Sequence, residues 1–294
     1  MAANEFSKHA RRFQEDGVVI LKRALDPKTM ALVEAAYGWS HAHLTAALQD
    51  FAAGPQERFI ADTGYSVREP AYRTLLRDSV LPDIASALFG GGSDVWYLGE
   101  QIFYKEGARG TRRTPWHQDT SYMNFDGPRM TAFWIPLDPV PRECGFEVVR
   151  RSHAGVTYNG SRFEPGDDTA PLYPVSDLPR LPDIERDREA WDIVGDAMGP
   201  GDLMVFHPAC LHGGGATRPG MRRRSLTLRF IGDDVVWVDR SDKPHPESSI
   251  ARRARARDSG KAVAGASAGE AAPAPLGEPV WRSDKYGRVR PWSD

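Results

Sequence analysis

The sequence predicts a mainly β fold with flanking helices, either a β-sandwich or a jelly roll braced by N-terminal α-helices. Before Asp94 the chain has stretches with helical features. After it come short runs rich in aromatic and β-branched residues, separated by Gly, Pro and charged turns. Helices followed by many short strands are the order expected of this architecture. At 294 residues, the chain can bury a sizeable core in one large domain.

The helical part is predicted from apolar spacing and from residues typical of helix ends. Helices are expected over residues 5–16, 30–51 and 71–89. Gly17 ends the first of them and Asp26-Pro27 fits the start of the second. Between these two helices, the apolar run from Val18 to Leu21 predicts a strand.

The strands after Asp94 are predicted from their residue types and from the turn signals between them. They are expected over residues 95–104, 114–122, 130–137, 145–149, 191–194, 202–206, 224–231 and 233–238. Residues 150–190 are polar and interrupted by prolines, which indicates an excursion over the surface. Either a lid-like insertion over a site or a passive insertion fits this composition.

One domain, including its N-terminal helices, is expected over residues 1–250. Residues 251–279 consist of Ala, Gly, Arg and Pro in low-complexity order with almost no large apolar side chains, which predicts a linker. Residues 280–294 regain aromatic side chains and are expected to form a C-terminal tail that docks on the domain.

Charge and composition exclude several classes of function. The formal net charge is -2 at pH 7, which provides no overall attraction to nucleic acid or to an anionic membrane. Cys144 and Cys210 are too few for a disulfide framework, which favours a reducing compartment. Neither a signal peptide nor a stretch of membrane-span length is evident. We therefore expect a cytoplasmic protein that binds neither nucleic acid nor membrane.

The segment Pro115 to Tyr122 contains the pair His117-x-Asp119. If this segment is extended, the two side chains point to the same face, one residue apart. An imidazole nitrogen and a carboxylate oxygen on one face are two of the three ligands of a non-haem Fe(II) site. The pair is a weak signal by itself, because an exposed strand end has the same pattern.

A third ligand is most readily supplied by His212, which precedes the glycine run 213–215. Glycines let the backbone pass close to a ligand. His207 stands before Pro208 at the end of a predicted strand, where a structural role is favoured. The other histidines lie in predicted helices, at a turn or in a Pro-rich tail, and are His9, His41, His43, His153 and His245.

Arg223-x-Ser225 follows His212 and opens a predicted strand. Strand alternation places the guanidinium and the hydroxyl on one face. Together they suit a carboxylate, because the guanidinium fork binds it bidentately and the hydroxyl adds a donor. Taken alone, the pair also fits an arginine-rich surface turn.

The order His117-x-Asp119, His212, Arg223-x-Ser225 resembles the phytanoyl-CoA dioxygenase family of Fe(II)- and 2-oxoglutarate-dependent oxygenases. The resemblance extends over about residues 5–238. Further similar segments are Phe6 to Leu25, Phe103 to Gly107, Thr131 to Asp138 and Glu143 to His153. Each motif is weak alone, whereas the combination is specific. The resemblance implies a double-stranded β-helix (jelly-roll) core.

The resemblance also implies roles for individual residues. His117, Asp119 and His212 would hold Fe(II), with positions left for 2-oxoglutarate and O2. Arg223, helped by Ser225, would bind the distal carboxylate of the cosubstrate. Four polar residues are candidates for its other end: Gln101, Tyr104, Lys105 and Thr131. Because Asp119 occupies the position that is small in halogenating relatives, the expected reaction is hydroxylation of a small organic substrate, coupled to decarboxylation of 2-oxoglutarate to succinate.

Two alternatives to hydroxylation remain open at this stage. The same iron site could serve desaturation, epimerisation or ring formation, or the chain could be a non-catalytic, cupin-like binding protein. The substrate and the oligomeric state are also open. An anionic substrate would suit the arginines expected near the rim of the barrel, which equally fit a solvated surface. These arginines are Arg109, Arg112, Arg113, Arg150 and Arg151.

Overall fold

The computed structural model describes residues 2–64, 66–91, 95–123, 125–164, 166–237 and 278–281. The helices are α1 (Ala2–Ser7), α2 (Ala10–Asp16), α3 (Pro27–Ala42), α4 (Pro70–Asp78) and α5 (Leu81–Leu88). The strands are β1 (Val18–Leu21), β2 (Gln49–Asp50), β3 (Glu57–Gly64), β4 (Val95–Gly107), β5 (Thr114–His117), β6 (Phe125–Asp126), β7 (Met130–Pro136), β8 (Phe146–Val149), β9 (Ile193–Val194), β10 (Leu203–Phe206), β11 (His212–Gly214), β12 (Arg222–Ile231), β13 (Val236–Trp237) and β14 (Glu278–Trp281).

Two antiparallel sheets form the core of the fold. The major sheet has the order β1-β10-β7-β12-β4-β3-β2, with β14 beside β4, and the minor sheet has the order β5-β11-β8-β9. A third, two-stranded pair joins β13 to β6. This arrangement confirms the predicted mainly β, jelly-roll architecture with bracing N-terminal helices.

Alternation along β12 explains how the major sheet divides the molecule. Leu226, Leu228 and Phe230 are fully buried and pack in the main hydrophobic core with the N-terminal helices. The alternate side chains face the other way, into a cavity on the side of the minor sheet; they are Arg223, Ser225, Thr227 and Arg229. One face of the sheet therefore anchors the helices while the other builds the site.

The N-terminal elements follow the predicted end signals. Gly17 ends α2 in a left-handed conformation (φ 71°), which glycine adopts without steric cost. Asp26 caps α3, because its Oδ1 accepts a hydrogen bond of 2.7 Å from the backbone N–H of Thr29. Pro27, with its fixed φ, occupies the first turn of α3.

The helix boundaries differ from the prediction at three places. The helix expected over residues 5–16 is divided into α1 and α2, and the helix expected over 30–51 ends at Ala42. After Ala42 the chain turns, because the Thr45 N–H donates to the Asp62 carboxylate (2.8 Å). The third predicted helix is divided into α4 and α5, since Ser79 is extended and Pro82 starts a new helix.

Several strands also differ from the prediction. The strands β2, β3, β6, β11 and β14 were not predicted; most of them are short, and β3 begins with charged residues. The strand expected over 114–122 ends at His117, and Asp119–Tyr122 form a 3-10 turn. The cause is the backbone N–H of Asp119, which donates to the Pro208 carbonyl (2.8 Å) instead of to a strand ladder.

The predicted linker over residues 251–279 and the predicted tail over 280–294 fall mostly outside the described residues. Of this part, the structure describes only 278–281, which form β14 beside β4. Among the helices that the structure describes, none combines the length and the apolar composition that a membrane crossing requires.

Candidate metal centre and cosubstrate pocket

Three side chains, His117, Asp119 and His212, meet between the two sheets. His117 is the last residue of β5 and His212 the first of β11, and the two are cross-strand partners. The Asp119 Oδ1 lies 3.5 Å from Nε2 of His117 and 3.4 Å from Nε2 of His212. The possible ligand atoms of all three residues lie within 4.8 Å of one another.

Gln118, which lies between His117 and Asp119, explains why these two side chains point to the same side of the chain. Gln118 is extended and its side chain points away from the pair, into the protein. Its Nε2 donates to the carbonyls of Val156 (3.0 Å) and Ala209 (2.8 Å), and its Oε1 accepts from the N–H of Tyr158 (2.8 Å). A fully bonded, buried amide fixes this turn of the backbone and hence the direction of both ligands.

Backbone carbonyls orient both imidazoles. The Nδ1 of His117 lies 2.9 Å from the Pro115 carbonyl, and the Nδ1 of His212 lies 2.8 Å from the Cys210 carbonyl. A carbonyl oxygen only accepts hydrogen bonds, so each Nδ1 must carry the proton. Each Nε2 is then left with a free lone pair directed at Asp119 and its surroundings, the state that metal binding requires.

Arg229 holds the other oxygen of Asp119. Its Nε and Nη2 donate to Asp119 Oδ2 at 3.1 and 2.9 Å, and Nη2 also donates to Gln101 Oε1 at 2.8 Å. Burial raises the pKa of the Asp119 carboxyl, but the charged surroundings, Arg229 foremost, outweigh burial and hold that pKa well below its ordinary value. Asp119 is therefore an ionised carboxylate with one oxygen held and one oxygen facing the histidines.

This donor set fits a divalent transition metal. Two imidazole nitrogens and one carboxylate oxygen on one side leave the opposite side open, as in the 2-His-1-carboxylate sites of non-haem Fe(II) enzymes. Imidazoles that carry their proton on Nδ1 can bind a metal through Nε2, and an ionised carboxylate can bind it through oxygen. His117, His212 and Asp119 are in these states.

We expect Arg229→Lys to weaken Fe(II) binding about tenfold, because it keeps the charge but loses the fork that holds Asp119. Equilibrium dialysis of Fe(II) under nitrogen measures this affinity. Arg224→Lys is the matched control, since Arg224 lies on the opposite face of β12 and pairs with Asp138 and Glu34. Equal Fe(II) affinities in wild type and Arg229→Lys would show that this contact does not position the ligand.

Arg223 is a buried cation in the same cavity. It is 3% exposed, and its Nη1 donates to the carbonyls of Cys144 and Gly215. Among the described residues it forms no ion pair, and its buried Nε has no hydrogen-bond partner. The buried hydroxyl of Ser225 also has none. Burial lowers the pKa of the Arg223 guanidinium to about 10, so it remains charged at neutral pH.

These unpaired groups fit a carboxylate. A buried cation and an orphaned hydroxyl on one strand face are costly unless a ligand completes them. A dicarboxylate such as 2-oxoglutarate would offer one carboxylate at this position. Gly214 provides the room, because a Cβ there would lie 3.1 Å from the Nη2 of Arg223.

Of the four other predicted cosubstrate residues, Gln101 and Lys105 lie on one face of β4, opposite Thr227 and Arg223 of β12. Gln101 lines the cavity, as do Arg223 and Ser225. Lys105 does not line it; its Nζ is fully buried over the Phe59 ring and donates to the carbonyl of Arg112 (3.1 Å). Burial lowers its pKa well below the ordinary value.

Tyr104 and Thr131 point away from the cavity. Tyr104, next to Lys105 on β4, bonds Glu106 and packs against Arg58 and His41 on the other face of the sheet. Thr131 is buried, and its hydroxyl donates to the Phe230 carbonyl (3.2 Å). Neither side chain is therefore part of the site that we propose below.

The cavity has a volume of about 310 Å³ and extends from the metal ligands to residues 46–49, at the start of β2. Among the lining residues that the sequence did not predict are two to which we assign a role, Arg229 and Phe163. Arg229 continues the alternation of Arg223 and Ser225 along β12, so its position could have been read from the strand period. Phe163 comes from the irregular 150–190 segment, where no periodic signal exists.

The 150–190 segment contributes Ser161, Arg162, Phe163 and Leu172 to the cavity. We expect amide hydrogen exchange in this segment to slow when 2-oxoglutarate and substrate are added under nitrogen, because ligands would hold the wall that it forms. Mass spectrometry of deuterium uptake measures this. Equal protection with and without ligands would indicate a passive insertion.

The arginines expected at the rim do not line the cavity. Arg109 is exposed, and Arg112 donates to the Phe163 carbonyl (3.0 Å). The others form ion pairs with carboxylates: Arg113 with Glu147 and Glu185, Arg150 with Asp16 and Asp192, and Arg151 with Asp16.

Solved structures with the same fold include non-haem α-ketoglutarate-dependent enzymes. The carbocyclase SnoK from nogalamycin biosynthesis is 20% identical, with a TM-score of 0.63 over 94% of this chain and 97% of that chain. The epimerase SnoN, solved with Fe3+, α-ketoglutarate and nogalamycin RO, is 19% identical, with a TM-score of 0.60 over 80% and 87%. EctD from S. alaskensis with bound Fe is 21% identical, with a TM-score of 0.54 over 76% and 75%. At these identities the likeness establishes the fold.

Sequence comparison identifies the family. A curated relative from Caenorhabditis elegans, described as a probable phytanoyl-CoA dioxygenase, is 29% identical over 129 residues, or 42% of this chain. The matched region spans 38% of that relative's length. The family described as phytanoyl-CoA dioxygenase (PhyH) matches residues 13–225, which include the minor sheet, most of the major sheet, the three possible metal ligands and Arg223. The chain therefore belongs to the phytanoyl-CoA dioxygenase (PhyH) family, a family of oxygenase-type enzymes.

Proposed function

We propose that the protein is an Fe(II)- and 2-oxoglutarate-dependent dioxygenase that hydroxylates a small organic substrate. The observation that carries this proposal is the buried Arg223, which has no carboxylate partner among the described residues and lines the same cavity as His117, Asp119 and His212. A protein that only bound a metal would need the three ligands but not the carboxylate clamp. The clamp thus favours an enzyme over a cupin-like binding protein.

Each residue has a defined task in this proposal. His117, Asp119 and His212 hold the iron through Nε2, Oδ1 and Nε2, while the Pro115 and Cys210 carbonyls keep the imidazoles in the required tautomer. Arg229 keeps Asp119 ionised and presents Oδ1 to the metal position. With 2-oxoglutarate bound, the iron would supply the activation of O2 for insertion into an unactivated C–H bond.

Arg223 and Ser225 bind the distal carboxylate of 2-oxoglutarate and thereby position the cosubstrate. Gln101 lies on the same cavity wall, between these two residues and Arg229. The overall reaction balances as substrate–H, O2 and 2-oxoglutarate giving substrate–OH, succinate and CO2. One oxygen atom of O2 enters the product and the other enters succinate.

Desaturation, epimerisation and ring formation are the competing outcomes at the same site, and two neighbours of the same fold are described as an epimerase and a carbocyclase. A mass-spectrometric screen of metabolites incubated with the iron-loaded protein, 2-oxoglutarate and 18O2 separates them. Hydroxylation predicts a product that gains one 18O atom, matched by one 18O atom in succinate. A product that loses two hydrogens would indicate desaturation or ring formation, and a product of unchanged mass would indicate epimerisation. Either result would contradict hydroxylation but not the proposed iron and 2-oxoglutarate site.

A further inference from the structure

The cavity wall carries uncharged polar side chains such as Gln49 and Thr63, but a large part of it is apolar. The apolar side chains include Ala46, Leu48, Phe51, Phe59, Phe103 and Leu172. Tyr122 also lines this part but presents its ring, because its hydroxyl donates to the Ser161 carbonyl (2.6 Å) and accepts from the Ser161 N–H (2.7 Å). A substrate entering here therefore meets rings and methyl groups.

Phe163 is held over the metal ligands in an unfavourable backbone conformation. Its φ is 55°, in the left-handed region that a bulky residue rarely adopts. Two hydrogen bonds hold it there: its N–H donates to Ser161 Oγ (2.9 Å) and its carbonyl accepts from Arg112 (3.0 Å). Strained residues that the surroundings hold in place are concentrated at functional sites.

The ring of Phe163 joins the apolar wall to the metal centre. Its centroid lies 5.2 Å from that of His117 in an edge-to-face arrangement and 5.6 Å from that of Phe51. It is nearly parallel to the Tyr122 ring, with 18° between the planes and 6.0 Å between the centroids. Phe163 thus presents an aromatic surface close to where the reacting C–H bond must lie.

The charged side chains that line the cavity, among the residues that the structure describes, already have partners or a task. Asp119 and Arg229 pair with each other, and Arg223 is the cosubstrate clamp. Arg162 is half exposed and pairs in solvent with Glu164 (2.8 Å). No desolvated cation on these walls is left to neutralise an anionic substrate, and burying an unpaired charge is costly.

We propose that the organic substrate is an uncharged molecule with a flat apolar ring that lies against Phe163, and that Phe163 determines this specificity. The inference rests on the proposed function, since it assigns Asp119, Arg223 and Arg229 to iron and 2-oxoglutarate. It also replaces the expectation of an anionic substrate at a rim of arginines, because those arginines are directed elsewhere.

Two probes with one ring system and different charge test the proposal. The protein is loaded with Fe(II) and saturating 2-oxoglutarate under nitrogen, and binding of 2-naphthol and of 2-naphthoate is measured by calorimetry at neutral pH. We expect 2-naphthol to bind at least about tenfold more tightly than 2-naphthoate, because the carboxylate would be buried without a partner. Equal or tighter binding of 2-naphthoate, or no binding of 2-naphthol, would overturn the proposal.

Variants in the same segment test the assigned residue. Phe163→Ala should weaken 2-naphthol binding about tenfold through loss of the ring contact, and Phe163→Leu, which keeps apolar bulk, should weaken it less. Arg180→Ala is the control, because Arg180 lies outside the cavity lining and pairs with Asp167; it should leave the affinities for both probes unchanged. Unchanged 2-naphthol binding in Phe163→Ala, or an equal loss of 2-naphthol binding in Arg180→Ala, would contradict the assignment. Iron and 2-oxoglutarate retention, measured in the same samples, shows whether the proposed function itself has failed.

Discussion

His117→Ala and His212→Ala should each abolish turnover and lose bound iron, while the fold stays largely intact. Each change removes one of three ligands, and the remaining two groups no longer define a facial site. The fold should survive because, among the described residues, the hydrogen bond that each imidazole donates goes to a carbonyl just two residues earlier in the chain. Thermal unfolding, iron content and rate are measured on the same samples.

His207→Ala is the matched control for the histidine variants. Its Nε2 donates to the Gly127 carbonyl (3.0 Å) and its Nδ1 accepts from the N–H of Ala209 (3.1 Å), so both ring nitrogens have structural partners. Burial lowers the pKa of His207 to about 4, which keeps it neutral. This variant should be less stable yet keep its iron. Normal iron content and rate in His212→Ala, with loss of iron in His207→Ala, would show that the third ligand is misassigned.

Asp119→Gly should also eliminate hydroxylation, but for two reasons at once. It removes a ligand, and it leaves Arg229 as a buried cation without its carboxylate. Breaking a buried ion pair by removing one partner typically costs about 3–5 kcal/mol of stability. The histidine variants therefore test the metal site more cleanly than this one.

Arg223→Ala should weaken 2-oxoglutarate binding about ten- to a hundredfold. A desolvated, bidentate carboxylate contact is typically worth about 1.5–3 kcal/mol, which converts to that range. Arg223→Lys keeps the charge without the fork and should recover part of the loss. The structure adds a reason for a large effect, since Arg223 has no carboxylate partner among the described residues that could reduce its interaction with the ligand.

The neighbours of Arg223 provide controls along the same strand. Arg224 faces α3, where it pairs with Asp138 and Glu34, and Arg222 is exposed at the start of β12 and contacts Asp138. The dependence of succinate release on 2-oxoglutarate concentration should be normal in Arg224→Ala and Arg222→Ala. A large defect at position 224 with none at position 223 would mean that the face assignment along β12 is reversed.

The parts of the site that follow strand alternation could be predicted from the sequence. Arg223 and Ser225 share a face of β12, and His117 and Asp119 share one across an extended Gln118. The same rule shows the limit of the cosubstrate prediction. Tyr104 and Lys105 are adjacent on β4, so at most one of them could face the cavity.

Contacts between distant segments could not be predicted in this way. Asp16, at the end of α2, neutralises Arg150 and Arg151, and Glu147 neutralises Arg113. Nothing in the local sequence around these arginines indicates such partners. Phe163 was missed for a different reason, because its position depends on a left-handed residue in an irregular loop held by Arg112 and Ser161.

Succinate formation from 2-oxoglutarate tests the central claim most directly. Iron-loaded protein is incubated under air with 2-oxoglutarate and a metabolite extract, beside His212→Ala and beside wild type under nitrogen. Our account predicts succinate from wild type in air only, because release requires iron held by the three ligands, the Arg223 clamp and O2. Equal succinate in all three samples, or none from a wild-type protein that retains both iron and 2-oxoglutarate, would contradict it.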